Sequence, residues 1–570
     1  MRSDASGGGF KVRAISGTDV VLLAIDATEN ARKGLLGFAI KRTDPAENQS
    51  YWLKGLKVFQ EVVPHPVPGQ QYSTLEHPIQ SFLWSDYTAK PGRKYTFTIR
   101  PVRGSAKNLD YKPDINIDIT TEEPDKGTHA VFFNRGAIAS QAFAAKYGNA
   151  APKDQDNPAD PITKWLSRGL LEAALDFINS TKSLEKLRVA AYEFSYPPIL
   201  NALKAAHDRK VDVVIVYEAG KETVKGKRVK TSATKANAKA IKKAKLPKSM
   251  LRPRTRRNDI PHNKFMVRLS KSGHPASVWT GSVNFTASGF LGQSNVGHIV
   301  RDGQVAAAYL AYWNKLAADT EWDPLRTWDE TNYPNPSGET PANSIVTVFS
   351  PRKNDAMLDW YAQRIKDSKQ TVMFTAAFGV TAKLAKAFAE DKPFLRYILM
   401  EKPPSAASRP LLKRDKDVQI AYGAALGMKT LHSKIPGWKL DKWFLNEGSY
   451  RYEGFVFYVH TKILLVDPLS DDPLIFSGSA NFSKNSLVNN DENMLLIRGN
   501  TRVADIYMTE FDRIFRHFYF RDVANRLAEK GISDTQAIFL DPSDKWVAEN
   551  FDKRKMKSKR RKLFFPKSKN

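Results

Sequence analysis

Residues 458–493 read YVHTKILLVDPLSDDPLIFSGSANFSKNSLVNNDEN. His460 and Lys462 lie two apart at the start of an apolar, strand-like run, so both side chains project from one face. Asp467 closes that run, and a second apolar run leads into Gly478-Ser479-Ala480-Asn481. Asn490 and Glu492 follow, again two apart. The pattern predicts a hairpin whose end gathers an imidazole, an ammonium, a carboxamide and a carboxylate. That set suits a phosphodiester: a nucleophile or acid, donors for phosphate oxygens, and a carboxylate to orient the imidazole.

The pattern occurs twice. His262-Asn263-Lys264 opens the run HNKFMVRLS, and Gly281-Ser282-Val283-Asn284 follows the run VWT. The two histidines are 198 residues apart, and so are the two lysines; the two asparagines are 197 apart. One HxK is weak, since a satisfied core histidine explains most of them. HxK followed at matching spacing by GSxN, twice and in register, is the mark of a duplicated catalytic unit.

These residues resemble the signature of the phospholipase D superfamily, HxK, then Asp, then GSxN, present twice per active site. The resemblance spans roughly residues 128–535. It implies one active site between two similar α/β halves, one histidine attacking phosphorus and becoming phosphohistidine, the other protonating the leaving oxygen, and no metal or other cofactor. It makes His262 the nucleophile and His460 the acid. It implies that Lys264, Lys462, Asn284 and Asn481 hold the phosphoryl oxygens, with Ser282 and Ser479 adding donors or shaping the turns. Glu492 is expected to accept from Nδ1–H of His460. The first copy departs from the family pattern: Leu269 stands at the Asp position and Asn295 at the position matching Glu492. Asn295 is expected to accept from the ring of His262 without supplying charge.

The chain has 570 residues, 42% of them hydrophobic, enough for several domains with a large core. It contains no cysteine, which excludes disulfides, thiolate catalysis and Cys-ligated zinc. No apolar run approaches the ~18 residues of a membrane span. The start, MRSDASGGGF, lacks an apolar signal region, so a cytoplasmic location is expected. The net charge of +28 is concentrated. Residues 221–257 hold fifteen Lys or Arg and a single acid, Glu222; residues 553–570 hold ten Lys or Arg and no acid. Such blocks bind polyanions. Arg254, Arg256 and Arg257, just before His262, are candidate ligands for phosphates flanking the scissile one.

The expected architecture is multidomain. Residues 1–9 read as a flexible leader. Residues 10–125 read as an all-β sandwich of immunoglobulin or fibronectin type, in which Pro91-Gly92-Arg93-Lys94-Tyr95 resembles a tyrosine corner. Two similar α/β halves follow at 128–325 and 340–540, and 541–570 form a basic tail. Asp160 to Asn179 reads as one amphipathic helix with an Asp cap and a first-turn proline. Glu193, near a strand end, reads as a solvated carboxylate in preference to a site residue. Within the insertion 402–456, Trp438, Trp443, Tyr450 and Tyr452 read as a lid, a stacking surface or a packed loop.

The expected function is metal-independent hydrolysis of a phosphodiester in DNA or RNA. A phospholipase D or phosphatidyl transferase, docking on anionic lipid through basic segments and Phe564-Phe565, is the alternative. A third reading, a non-catalytic nucleic-acid-binding protein, takes up the loss of Asp and Glu from the first copy. Oligomerisation is not required, because one chain supplies both half-sites.

Overall fold

A computed structural model describes residues 1–67, 70–136, 141–148, 150–423, 458–529 and 538–565. The insertion aromatics Trp438, Trp443, Tyr450 and Tyr452 lie outside the described residues.

Two mixed sheets carry the duplicated motifs. The first has eight strands. Its spatial order is Asp125–Lys126, His129–Phe133, Val296–Val300, Pro275–Gly281, Lys264–Leu269, Lys186–Ala191, Asp212–Glu218 and Leu251–Arg254. The second has seven: Ile345–Ser350, Glu492–Arg498, Leu474–Gly478, Ile463–Val466, Val372–Ala376, Arg396–Met400 and Val418–Tyr422. Without its outer two-residue strand the first sheet has the same order as the second. In each, three parallel strands adjoin an antiparallel hairpin that starts at HxK and ends at GSxN. The central strands are rich in apolar residues, as burial on both faces demands, with the polar Lys264, Glu492 and Asn493 at their site ends.

The helices follow local capping chemistry. Asp160 caps Pro161–Ser167 by accepting from the N–H of Ile162 and Thr163 at 2.9 and 3.0 Å. The single helix expected to Asn179 is two: Arg168 and Gly169 take left-handed backbone at φ 47° and 88°, ending one helix before Leu170–Asn179 begins. Asp302 caps Gly303–Ala317 in the same way.

The N-terminal region contains two antiparallel sheets around one core that includes Val12, Val21, Leu23, Phe38, Ile40, Phe97 and Ile117. The flexible leader is corrected. Arg2–Gly7 pairs in register with Phe10–Ser16, and the Arg2 guanidinium is held by Asp505 at 2.9–3.2 Å and by two backbone carbonyls. Glycines 7–9 serve the turn of this hairpin.

The basic tail is corrected as well. Met556–Phe564 is a helix whose Phe564 is buried in a core shared with Val503, Ile506, Phe511 and Phe515. Lys559 pairs with Asp417 and Arg561 with Asp26, so distant acids neutralise much of the segment. Phe564 is therefore not available to a lipid surface. Among the described residues, no helix is long and apolar enough to cross a membrane.

Candidate active site

His262 and His460 each stand just before a central strand, with Lys264 and Lys462 two residues on. All four side chains are buried. The ring centroids of the histidines are 6.5 Å apart, at an interplanar angle of 69°. Each lysine ammonium donates to the backbone carbonyl of its own histidine. Asn284 and Asn481 follow the neighbouring strands, placed by the GS turns. Ser282 N–H donates to the Val296 carbonyl and Ser479 N–H to the Asn493 carbonyl. A Cβ on Gly281 would lie 2.1 Å from the Val296 oxygen, and one on Gly478 2.3 Å from the Asn493 oxygen. Glycine is required at both positions because the adjacent backbone passes so close.

The two halves exchange their histidine partners. Nδ1 of His262 is 2.9 Å from Oε2 of Glu492, and Nδ1 of His460 is 2.8 Å from Oδ1 of Asn295. This corrects the expectation that Glu492 serves His460 and Asn295 serves His262. Each motif's partner residue opens the strand beside its own GSxN, and closing the halves turns it toward the other histidine. Asn295 Oδ1 also accepts from Ser282, while Asn295 Nδ2 donates to the Gly289 carbonyl, which fixes the amide's orientation. Glu492 accepts from Asn490 at 3.0 Å. Further groups cross the joint: Asn493 Nδ2 donates to Asn263 Oδ1, Thr280 donates to Asn493 Oδ1, and Ser294 N–H donates to the Tyr458 carbonyl.

Burial dominates the electrostatics. It pushes both imidazoles well below their usual pKa, and the two lysines add to the effect. Burial lowers Lys264 to about 7 and Lys462 well below its usual range. It also raises Glu492 to about 7 against the pull of Lys264. A neutral His262 that donates from Nδ1 to Glu492 has its Nε2 lone pair free.

Other candidates are placed elsewhere. Arg254 is fully buried, bound to Asp491 of the second half at 2.9 Å and to Asp319 at 3.2 Å. Arg257 is buried against Glu218. Both are corrected from substrate ligands to structural ions: acids remote in sequence already satisfy them. Arg256 is 64% exposed, 3.6 Å from Glu321. Asp467 lies at the far end of its strand with left-handed backbone, accepting from the N–H groups of Lys369, Gln370 and Thr371. The family signature makes it a supporting site residue, and this is corrected: it fixes the strand end and takes no place among the site groups.

Glu193 is a site carboxylate and not the solvated group preferred from the sequence. Its carboxylate accepts from Nδ2 of Asn284, and burial raises its pKa. Its position just past a parallel strand, beside the motif hairpin, is the signal that marks it. The corresponding place in the second half is Phe378, 64% exposed. Tyr192 packs its ring 5.2 Å from that of His262. Asn263 and Asn493 carried no signal of their own. Among the described residues, no group of three or more His, Cys, Asp or Glu is placed to hold a metal ion.

A family model described as cardiolipin synthase, PLD-like domain, matches residues 174–317 and 410–515. Each segment contains one HxK and one GSxN. No curated protein matches the chain by sequence. Among solved structures, polyphosphate kinase from Porphyromonas gingivalis is 9% identical with a TM-score of 0.37; the match covers 61% of this chain and 49% of that one. The phospholipase D family member Nuc from Salmonella typhimurium is 28% identical over 26% of this chain and 86% of its own, at 0.21. Phosphatidylserine synthase from Haemophilus influenzae Rd KW20 is 12% identical over 66% and 94%, at 0.40. With one motif set in each matched segment, the chain carries two regions that match the PLD-like domain.

Proposed function

We propose that the protein is a phosphodiesterase of the nuclease kind, cleaving DNA or RNA through a phosphohistidine. The observation that carries the reading is the pair of buried imidazoles, ring centroids 6.5 Å apart, each with Nδ1 held by an acceptor from the opposite half. That spacing accommodates one phosphoryl group between two ring nitrogens, at roughly 3 Å from each.

His262 Nε2 attacks phosphorus while the bond to the leaving oxygen breaks, and His460, protonated when the diester binds, gives that oxygen its proton. His460 then takes a proton from water, the hydroxide displaces His262 from phosphorus, and a phosphomonoester leaves. Glu492 stabilises the positive charge that His262 gains, which supports the histidine bearing the carboxyl group as the nucleophile. Lys264, Lys462, Asn284 and Asn481 stabilise the developing charge on the phosphoryl oxygens. The anionic substrate offsets the burial that weakens the lysines, so their protonated forms accompany binding.

The preference for nucleic acid over lipid rests on the exposed basic segment after Glu218 and on the burial of Phe564. For the N-terminal region we infer a fibronectin-like sandwich. Strand orders joining Phe10–Ser16, Val21–Ala27 and Leu83–Asp86 in one sheet, and Gln49–Trp52, Gly37–Asp44, Lys94–Ser105 and Ile115–Thr120 in the other, support it. So does the Lys90 N–H donating to the Tyr95 hydroxyl at 2.8 Å.

The test is purified protein in EDTA on plasmid, single-stranded DNA, RNA and phosphatidylglycerol vesicles, with His460→Ala as control. Nucleic-acid cleavage lost in the variant supports the reading. Headgroup release with intact nucleic acid replaces it with the lipid reading.

A further inference from the structure

The parallel strand Asp212–Glu218 ends beside the active site, and the chain leaves it into the basic segment. Lys221–Val224 and Lys227–Lys230 form an antiparallel hairpin around Lys225 and Gly226, both with positive φ. Every residue from 221 to 230 is exposed. The helix Ser232–Ala244 continues the surface with exposed Lys235, Lys239, Lys242 and Lys243. Lys245, Lys248, Arg252 and Arg256 extend it. Among the described residues, the only ion pair made by these exposed cations is that of Arg256 with Glu321. This contrasts with the C-terminal basic helix, where acids meet several of the cations.

A cationic arm of this kind is ordinarily a loosely tethered, solvated element. Here, among the described residues, the hairpin pairs only with itself, but the helix is bolted down. Thr231 and Thr234 donate to the Glu218 carboxylate, which also binds Arg257. Asn237, in the middle of the lysine helix, is fully buried. Its Oδ1 accepts from Phe194 N–H at 2.8 Å, and its Nδ2 donates to the carbonyls of Tyr192 at 2.9 Å and Glu218 at 3.1 Å. The Tyr192–Phe194 segment it grips carries the ring against His262 and the carboxylate bonded to Asn284. Asparagine is a poorer helix former than the alanines around it, so its place there is explained by the anchor and not by the helix.

We propose that this anchored helix, with the exposed hairpin that precedes it, forms a track for the sugar–phosphate backbone of a nucleic-acid strand whose scissile phosphate lies between His262 and His460, and that Asn237 is a positioning residue that keeps track and site in register. The proposal rests on the nuclease reading above. A 13-residue helix is about 20 Å long, which spans roughly six phosphates at the 3.4 Å rise of a duplex strand and fewer of an extended single strand. The enzyme therefore prefers long strands to short ones, with activity rising steeply with length up to about eight to ten nucleotides. Neutralising track cations weakens binding across all sequences and flattens its salt dependence.

The experiment uses the full chain on single-stranded DNA of 4, 8, 16 and 32 nucleotides, with bis-p-nitrophenyl phosphate as a diester too small to reach the track. In the triple variant Lys227→Glu, Arg228→Glu, Lys230→Glu, the ratio of 32-mer to small-diester kcat/KM is expected to fall at least tenfold. Its logarithmic salt slope is expected to drop by about 2. Asn237→Ala is expected to compress the 32-mer to 4-mer ratio while keeping the wild-type salt slope; a merely structural role would lower Tm and leave that ratio unmoved. An unchanged ratio and slope in the triple variant overturns the track, even if the wild type is a nuclease. Binding of the 32-mer to His460→Ala, followed by fluorescence anisotropy with and without the triple change, separates the two claims. Tight binding lost with the charges, in a protein that cleaves no nucleic acid, keeps the surface and removes the nuclease reading. Loss of phosphatidylglycerol vesicle binding alone, with DNA binding intact, assigns the arm to membranes and overturns the proposal.

Discussion

The carboxylate of Glu492 meets Nδ1 of His262 across 230 residues of sequence, while its own half's histidine, His460, meets the neutral amide of Asn295. The two histidines are thus unlike in one respect: only His262 has a buried carboxyl partner, which in the proposed mechanism faces the charge that His262 gains on phosphorylation. Glu492→Gln keeps shape and removes charge. We expect kcat on a small diester to fall roughly a hundredfold or more. Asn295→Ala, which removes an orienting contact alone, is expected to cost less. Steady-state kinetics of the two variants check the order, and a larger loss in Asn295→Ala would reverse the assignment.

The leaving group offers a second check. A p-nitrophenolate needs little protonation, whereas a nucleoside alkoxide needs a full proton. His460→Ala is expected to lose activity on DNA and still form a covalent phosphoenzyme from bis-p-nitrophenyl phosphate, seen as a burst of one equivalent of nitrophenolate. His262→Ala is expected to show no burst. A burst from His262→Ala and none from His460→Ala would exchange the roles.

Lys264 couples activity to instability. Its folded pKa of about 7 lies below the ordinary lysine value of 10.5, with burial the main cause. A lowered lysine pKa means that the unfolded chain binds the extra proton between these values, so stability rises with pH from about 7 to 10.5. The penalty is full below about pH 7 and absent above about 10.5. Lys264→Met is therefore expected to abolish turnover and raise Tm by a few degrees at pH 7, the gain shrinking toward pH 10.5. Thermal unfolding at the two pH values checks this; an equal gain at both would show that packing, not charge, is responsible.

Arg254 and Arg256 separate structure from binding. Arg254→Met leaves Asp491 buried without its cation and is expected to destabilise by about 3–5 kcal/mol. Arg256→Ala removes an exposed pair and is expected to change stability by less than about 0.5 kcal/mol. Denaturant titrations distinguish them, and equal midpoints would contradict the buried bridge.

What could be read from the sequence was whatever is local and repeated. HxK at strand spacing and GSxN at strand ends follow from alternation and from turns that exclude side chains, so His262, Lys264, Asn284, His460, Lys462 and Asn481 could be named and their matching strands anticipated. The exchange of Glu492 and Asn295 exists only once the halves close, and no spacing encodes it. Arg254 and Arg257 were misjudged because charge density along the chain does not reveal Asp491 or Glu218 beside them in space. The same blindness made the segment around Phe564 look like a free tail, and hid Glu193 behind the base rate of solvated carboxylates.

The crossed pairing also carries an implication about symmetry. In a symmetric dimer of identical halves, any residue facing one histidine necessarily faces the other, so acid on one side enforces acid on both. A single chain that holds both halves is free of that identity. Glutamate can stand against one imidazole and an amide against its twin, so that two equivalent groups become two different ones without moving a strand.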